Sequence, residues 1–280
     1  MSVTPKGIRD GGDFYASNYE QSFISQWTFD FNNEHWEIPI GALLIYLSVC
    51  YFGQIYMADR KPFDLSVPLA LWNAFLSVFS YVGMLRLVPR LISILSTKSY
   101  QDSLCLHPRE LWADGVSGFW MWLFMLSKIP ELMDTVFIVL RKKDLLFLHW
   151  YHHVTVLLYC WDAYSKQSSA GIYFAAMNYT VHAMMYGYFF GQTLKIVPKW
   201  FPSYLITGLQ IAQMIVGVTV CVALLYYKLN GVSCLQDLNN LYAGSLMYAS
   251  YLLLFMQFAV RKFGDKKDRN ESSKISGKSL

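Results

Sequence analysis

Three imidazoles fall within five residues, at His149, His152 and His153. The i, i+3, i+4 spacing puts all three rings on one face of a helix. A neutral imidazole is a nucleophile near pH 7, and a neighbouring imidazole can act as a base or orient it through a hydrogen bond. The flanking stretches Leu145–Leu148 and Val154–Leu158 are largely apolar. The cluster therefore lies where hydrocarbon or a protein interior is expected, and ionisable groups inside a membrane helix mark function. A lone buried histidine is commonly a satisfied core residue, whereas three on one face are hard to read that way.

Other polar residues recur in apolar segments at helical spacing. One segment carries Lys128, Glu131, Asp134 and Thr135, a second Asn178, His182, Tyr186 and Tyr188, and a third Thr207, Gln210 and Gln213. Taken alone, Lys128 with Glu131 reads as an intramembrane ion pair, and the Thr and Gln residues read as interhelical hydrogen-bonding glue. Counted from one end of their segments, Asp134, His152, His182 and Gln210 all lie roughly 9–12 Å deep at about 1.5 Å per residue. Four polar faces at one depth predict a single site.

The elements that must position these residues are membrane helices. The 280 residues are 55% apolar, 17% aromatic and 15% charged. Segments 38–56, 66–88, 170–190, 203–227 and 241–260 are long enough to cross a bilayer core, and 115–140 and 145–164 are spans carrying polar residues. The chain is thus expected to be an all-α integral membrane protein with seven transmembrane helices. Residues 1–33 form an N-terminal arm, 34–60 the first helix, 61–260 a six-helix membrane domain and 261–280 a disordered charged tail. The polar break Asp59-Arg60-Lys61-Pro62 sets the first helix apart. The arm lacks an apolar leader, so the first span is expected to target the chain.

Acidic residues precede the first span and Arg60 and Lys61 follow it, which predicts a luminal N-terminus and a cytosolic C-terminus. The net charge of +4 then reads as topology, and nothing suggests nucleic acid. Arg141, Lys142, Lys143, Lys195, Lys199, Arg261 and Lys262 fall at the cytosolic mouth nearest the polar residues, where an anionic substrate would enter. Cys50, Cys160 and Cys221 fall within spans, whereas Cys105 and Cys234 fall in two luminal loops and are expected to form a disulfide.

Four motifs in this order resemble the fatty acid elongases of the endoplasmic reticulum, the condensing enzymes of very-long-chain fatty acid synthesis. Lys128-x-x-Glu131-x-x-Asp134-Thr135 matches KxxExxDT, and His149-x-x-His152-His153 matches HxxHH. His182-x-x-Met185-Tyr186-x-Tyr188-Phe189 matches HxxMYxYY except at Phe189, and Thr207-x-x-Gln210-x-x-Gln213 matches TxxQxxQ. Trp150 and the stretch from Lys61 to Trp72 resemble the subgroup acting on long-chain saturated and monounsaturated acyl-CoAs.

The resemblance implies an acyltransferase that condenses a long-chain acyl-CoA with malonyl-CoA, giving a 3-ketoacyl-CoA two carbons longer, carbon dioxide and CoA. It implies an acyl-imidazole on His152, with His149, His153 and His182 as the other catalytic histidines. Lys128, Glu131, Asp134, Thr135, Asn178, Tyr186, Gln210 and Gln213 would form the supporting polar site, and the basic mouth would hold CoA. The implied fold is six helices around a narrow acyl tunnel with the first helix peripheral, in the endoplasmic reticulum membrane. Neither a metal nor a cofactor is implied. Partners would be acyl-CoA, malonyl-CoA and membrane lipid, with other elongation-cycle enzymes and a second copy of the chain as further candidates. The rival readings are a histidine-box di-iron desaturase or hydroxylase and a seven-helix receptor. The first needs about eight histidines where only six exist, and the second needs no buried polar motifs at one depth.

Overall fold

The computed structural model describes residues 16–198 and 200–276, with side chains through Phe263 except at Lys199. Among the described residues every regular element is helical. In chain order these are α1 (Asn18–Gln21), α2 (Gln26–Glu34), α3 (Glu37–Met57), α4 (Ser66–Thr97), α5 (Tyr100–Cys105), α6 (Pro108–Leu111) and α7 (Gly115–Ser127). After a 3₁₀ turn at Pro130–Leu132 come α8 (Met133–Leu140), α9 (Phe147–Ser165), α10 (Gly171–Thr193), α11 (Tyr204–Leu229) and α12 (Leu238–Ser276). Among the described residues four helices are long and apolar enough to cross a membrane: α3, α4, α11 and the 238–263 part of α12.

Neighbouring helices close a circuit in which α4 packs on α10, α10 on α11, α11 on α12, α12 on α9, α9 on α7, and α7 back on α4. The α4–α10 seam is tightest where Gly83 lies under the Tyr179 ring, since a Cβ there would sit 2.5 Å from ring carbons. α3 lies outside the circuit against α8 and α9. Most of its large side chains face outward, including Leu44, Ile45, Tyr51, Phe52 and Ile55. Such a surface suits lipid, which is as apolar as the side chains it touches.

The segment read as one span over 115–140 is interrupted. Pro130 lacks the N–H that a continuing helix needs, so the chain turns at Lys128–Ile129 and passes through the 3₁₀ turn before α8 begins. α4 runs the other way from expectation. It continues past Pro89 to Thr97, because the following residues still have a face to bury: Ile94 is 3% exposed and Arg90 Nε donates to the Leu111 carbonyl at 2.6 Å. α12 likewise continues as helix to Ser276 through residues whose charge pattern suggested disorder.

From Ala16 onward, the described part of the arm before α3 packs against the helices. Ser17 and Glu20 form a reciprocal cap on α1. Glu20 is buried, accepting from Trp120 Nε1 at 2.8 Å and Arg86 Nε at 3.2 Å. Tyr164 of α9 donates to Thr28 of α2 across 2.8 Å, because the threonine proton is used on the Ser25 carbonyl. At the same end a disulfide joins Cys105 to Cys234 and ties α5 to the segment before α12.

Candidate active site

Inside the circuit lies a cavity of about 510 Å³. Its polar lining includes Asn73, Glu131, Asp134, His149, His152, His153, Asn178, His182, Tyr186, Thr207, Gln210 and Gln213. Residues from five separate stretches of sequence thus meet in one space: the four polar segments that the sequence places at a common depth, and Asn73 of α4. Lys128 and Thr135 stand directly behind this lining, each bonded to a residue that belongs to it.

The break at Pro130 places the first network. Lys128 Nζ, 2% exposed, donates to both Glu131 carboxylate oxygens at 2.7 and 3.0 Å, and Ser127 Oγ donates to the same carboxylate at 2.9 Å. The ammonium also lies over the Phe124 ring, 4.4 Å from its centroid. Its remaining bond goes to Asn178 Oδ1 at 3.1 Å, and Asn178 Nδ2 faces His182 Nε2 at 3.0 Å. An ammonium can only donate, so it fixes the asparagine amide with its oxygen toward Lys128. The NH₂ must then donate to His182 Nε2, and the proton of neutral His182 is on Nδ1.

A second network centres on Asp134. Its two oxygens accept from Trp72 Nε1 at 2.6 Å and Tyr186 Oη at 2.7 Å. The Tyr186 ring stands edge-on to His182, centroids 5.3 Å apart. The sequence marks Trp72 only as part of the Lys61–Trp72 stretch that resembles one subgroup and not as a partner of Asp134, because an indole in an apolar span looks like an interfacial anchor.

The box histidines differ in their surroundings. His149 Nε2 lies 2.8 Å from Thr135 Oγ1, and its ring is 4.5 Å from that of His153. His153 is 6% exposed, and its Nδ1 is buried without a hydrogen-bond partner. His152 is partly buried, lines the cavity and packs against the Tyr251 ring at 4.9 Å. Among the described residues no hydrogen bond reaches its ring. Its backbone carbonyl accepts from Tyr251 Oη at 3.2 Å, which holds α9 and α12 together at this level. Gln210 Nε2 is 3.2 Å from Met185 Sδ, a soft and weak acceptor that leaves the amide available to a ligand.

At the open end the cavity is lined by Arg141, Lys143 and Lys262, three of the basic residues expected at the mouth. Lys142 is turned away, because its positive φ of 51° directs Nζ to the Ala58 and Arg60 carbonyls at 2.8 and 3.1 Å. It closes the end of α3 instead. Lys195 and Arg261 are exposed and outside the lining, and Lys199 lies outside the described residues. Phe189, which departs from the motif, lines the cavity but is 41% exposed.

Comparison with known proteins places the chain among relatives. Residues 31–271 match the model of the ELO: GNS1/SUR4 family. A "Very long chain fatty acid elongase 6" of Drosophila melanogaster is 40% identical over 285 aligned residues, covering 100% of this chain and 88% of the relative. A "Putative fatty acid elongase 3" of Caenorhabditis elegans is 41% identical, covering 90% of this chain and 78% of the relative. The human "Very long chain fatty acid elongase 6" is 39% identical, covering 86% of this chain and 89% of the relative. With its family match spanning nearly the whole chain and full-length relatives near 40% identity, this protein belongs to the ELO (GNS1/SUR4) family.

Proposed function

We propose that this chain is a fatty acid elongase that condenses a long-chain acyl-CoA with malonyl-CoA through an acyl-imidazole on His152. The observation that carries the reading is the contrast among the four histidines. His149 and His182 each have Nε2 engaged by a neighbour, and His153 is sealed from solvent at Nδ1. The His152 ring faces the cavity free of hydrogen bonds. A nucleophile needs an open lone pair, and His152 has one.

In the first half-reaction an imidazole nitrogen of His152 attacks the thioester carbonyl. The carbon–sulfur bond breaks, CoA leaves as thiolate, and the proton lost from the imidazole ends on sulfur. In the second, malonyl-CoA loses carbon dioxide, and the electrons of the broken carbon–carbon bond form an enolate. The enolate carbon attacks the acyl carbonyl, the carbon–nitrogen bond breaks, and 3-ketoacyl-CoA leaves while the departing imidazolate takes up one proton from water, which restores the neutral imidazole. His182 Nδ1–H and the Gln210 amide are donors that can stabilise negative charge on the thioester or enolate oxygen. The chemistry needs no resident cofactor, and iron analysis of purified protein checks that part.

Arg141, Lys143 and Lys262 at the mouth suit the CoA phosphates. We place the mouth on the cytosolic side of the endoplasmic reticulum membrane, with seven crossings, a luminal N-terminus and a cytosolic C-terminus. The Cys105–Cys234 bridge at the opposite end fits an oxidising lumen. Incubation of purified protein with long-chain acyl-CoA and malonyl-CoA tests the activity. Equal amounts of 3-ketoacyl-CoA and carbon dioxide are expected, and no product across chain lengths rejects the assignment.

A further inference from the structure

The helix outside the circuit contacts the hydrogen-bonded groups behind the cavity through a buried phenol. Tyr46 of α3 is 3% exposed, although its neighbours Leu44, Ile45 and Leu47 are 64%, 69% and 41% exposed. Its ring lies 6.1 Å from that of His153, and its hydroxyl is 3.0 Å from Thr135 Oγ1. The same threonine oxygen is the one that meets His149 Nε2 at 2.8 Å. Tyr46, Thr135 and His149 therefore form a three-member chain that begins on the membrane-facing helix and ends on the histidine box.

The direction of this chain follows from counting protons. Each hydroxyl has one hydrogen to place, and Thr135 Oγ1 has one hydrogen and two partners. If Tyr46 donates to Thr135 and Thr135 donates to His149 Nε2, both hydrogens are used on good acceptors. If His149 donated from Nε2 instead, the Thr135 hydrogen would go to Tyr46. The tyrosine hydrogen would then be left with only the Cys50 thiol beside it, a weak acceptor. If both neighbours donated to Thr135, its own hydrogen would be unplaced, and unpaired buried donors are costly.

We infer that Tyr46 is a positioning residue that acts through Thr135 to hold His149 as the tautomer with Nε2 unprotonated and Nδ1 protonated. With its Nε2 lone pair occupied by the threonine hydrogen, His149 is withdrawn from acylation at that atom and held in one ring orientation beside His153. Its kinetic consequence rests on the condensation proposed above, whereas the tautomer itself can be read without turnover. α3 is thus part of the working site rather than only a wall against lipid.

The test combines both readouts on the full chain in detergent. In protein labelled with ¹⁵N-histidine, with the His149 signals assigned by their loss in His149→Gln, Nε2 should report an unprotonated nitrogen and Nδ1 a protonated one. Tyr46→Phe keeps the ring and its packing and removes only the hydroxyl. It should lower kcat about three- to tenfold, the scale of one hydrogen bond, with KM for acyl-CoA unchanged. On a Thr135→Val background the same change should cost nothing further. Tyr51→Phe, on the exposed side of α3, should match the unaltered protein. A protonated His149 Nε2, an unchanged kcat in Tyr46→Phe, or a full loss that persists beside Thr135→Val would each overturn the inference. Should Tyr46→Phe fail to fold, the tautomer of the unaltered protein decides alone. A protein that makes no ketoacyl product would reject the proposed reaction and still leave that tautomer to be tested.

Discussion

Lys128 Nζ lies 3.1 Å from Asn178 Oδ1, so a buried cation dictates which way a neutral amide faces. The amide in turn dictates which nitrogen of His182 is protonated. The ammonium sits in the turn created by Pro130 and the asparagine on α10, so the relay depends on α7 ending where it does. The lysine thus reaches His182 through the orientation of an amide, while its other bonds hold the Glu131 carboxylate at the cavity wall.

Asn178→Asp keeps an oxygen toward Lys128 and removes the NH₂ that serves His182. The variant should fold with a melting temperature close to the unaltered protein and lose about tenfold or more in kcat, because a preorganised donor at the reacting centre is lost. Steady-state kinetics at saturating malonyl-CoA measure this. Unchanged kcat would show that the His182 tautomer does not matter to turnover.

The buried pair of Lys128 and Glu131 should show the asymmetry of buried charges. Lys128→Met leaves a carboxylate buried with Ser127 as its main remaining partner, and should destabilise the fold by about 3–5 kcal/mol. Lys128→Met combined with Glu131→Leu removes both charges and should recover much of that loss while remaining inactive. Thermal unfolding of the three proteins in the same detergent compares them. A double variant no more stable than the single one would contradict the pairing.

Much of this site can be read in the chain because its members obey helical spacing. His149, His152 and His153 share a face, as do Asn178, His182 and Tyr186, and equal depth in separate spans brings those faces together. The less legible parts are bonds between elements that no periodicity links. Trp72 and Asp134 are sixty-two positions apart, and Tyr46 and Thr135 eighty-nine. An indole or phenol in an apolar span carries no mark of its partner. Pro130 did carry a signal for the break after α7, but the apolar residues on both sides made one continuous span the simpler reading. Lys142 fell outside the mouth for a local reason, since a left-handed residue at the end of α8 aims its side chain at α3.

Acid should loosen the end of the molecule where α1 packs. Burial pushes the Glu20 carboxyl up, but hydrogen bonds from Trp120 and Ser17 and the charge of Arg86 outweigh it and hold the group below its ordinary value. A depressed carboxyl stabilises the folded state above its unfolded pKa of 4.5, and that stability fades as pH falls through the lower folded value. Melting temperature should therefore drop more steeply between about pH 5 and pH 3 in the unaltered protein than in Glu20→Gln. Parallel curves for the two would mean that Glu20 is not held as an ion.

The most direct measurement uses one long-chain acyl-CoA, purified protein and no malonyl-CoA. Free CoA and intact protein mass are followed together, beside His152→Ala. One equivalent of CoA should appear in a burst while the protein gains the mass of one acyl group, and the variant should show neither. Ketoacyl product on later addition of malonyl-CoA would then come from the charged enzyme. An unacylated protein that still forms ketoacyl-CoA when both substrates are present, or an acyl group that persists in His152→Ala, would contradict His152 as the nucleophile.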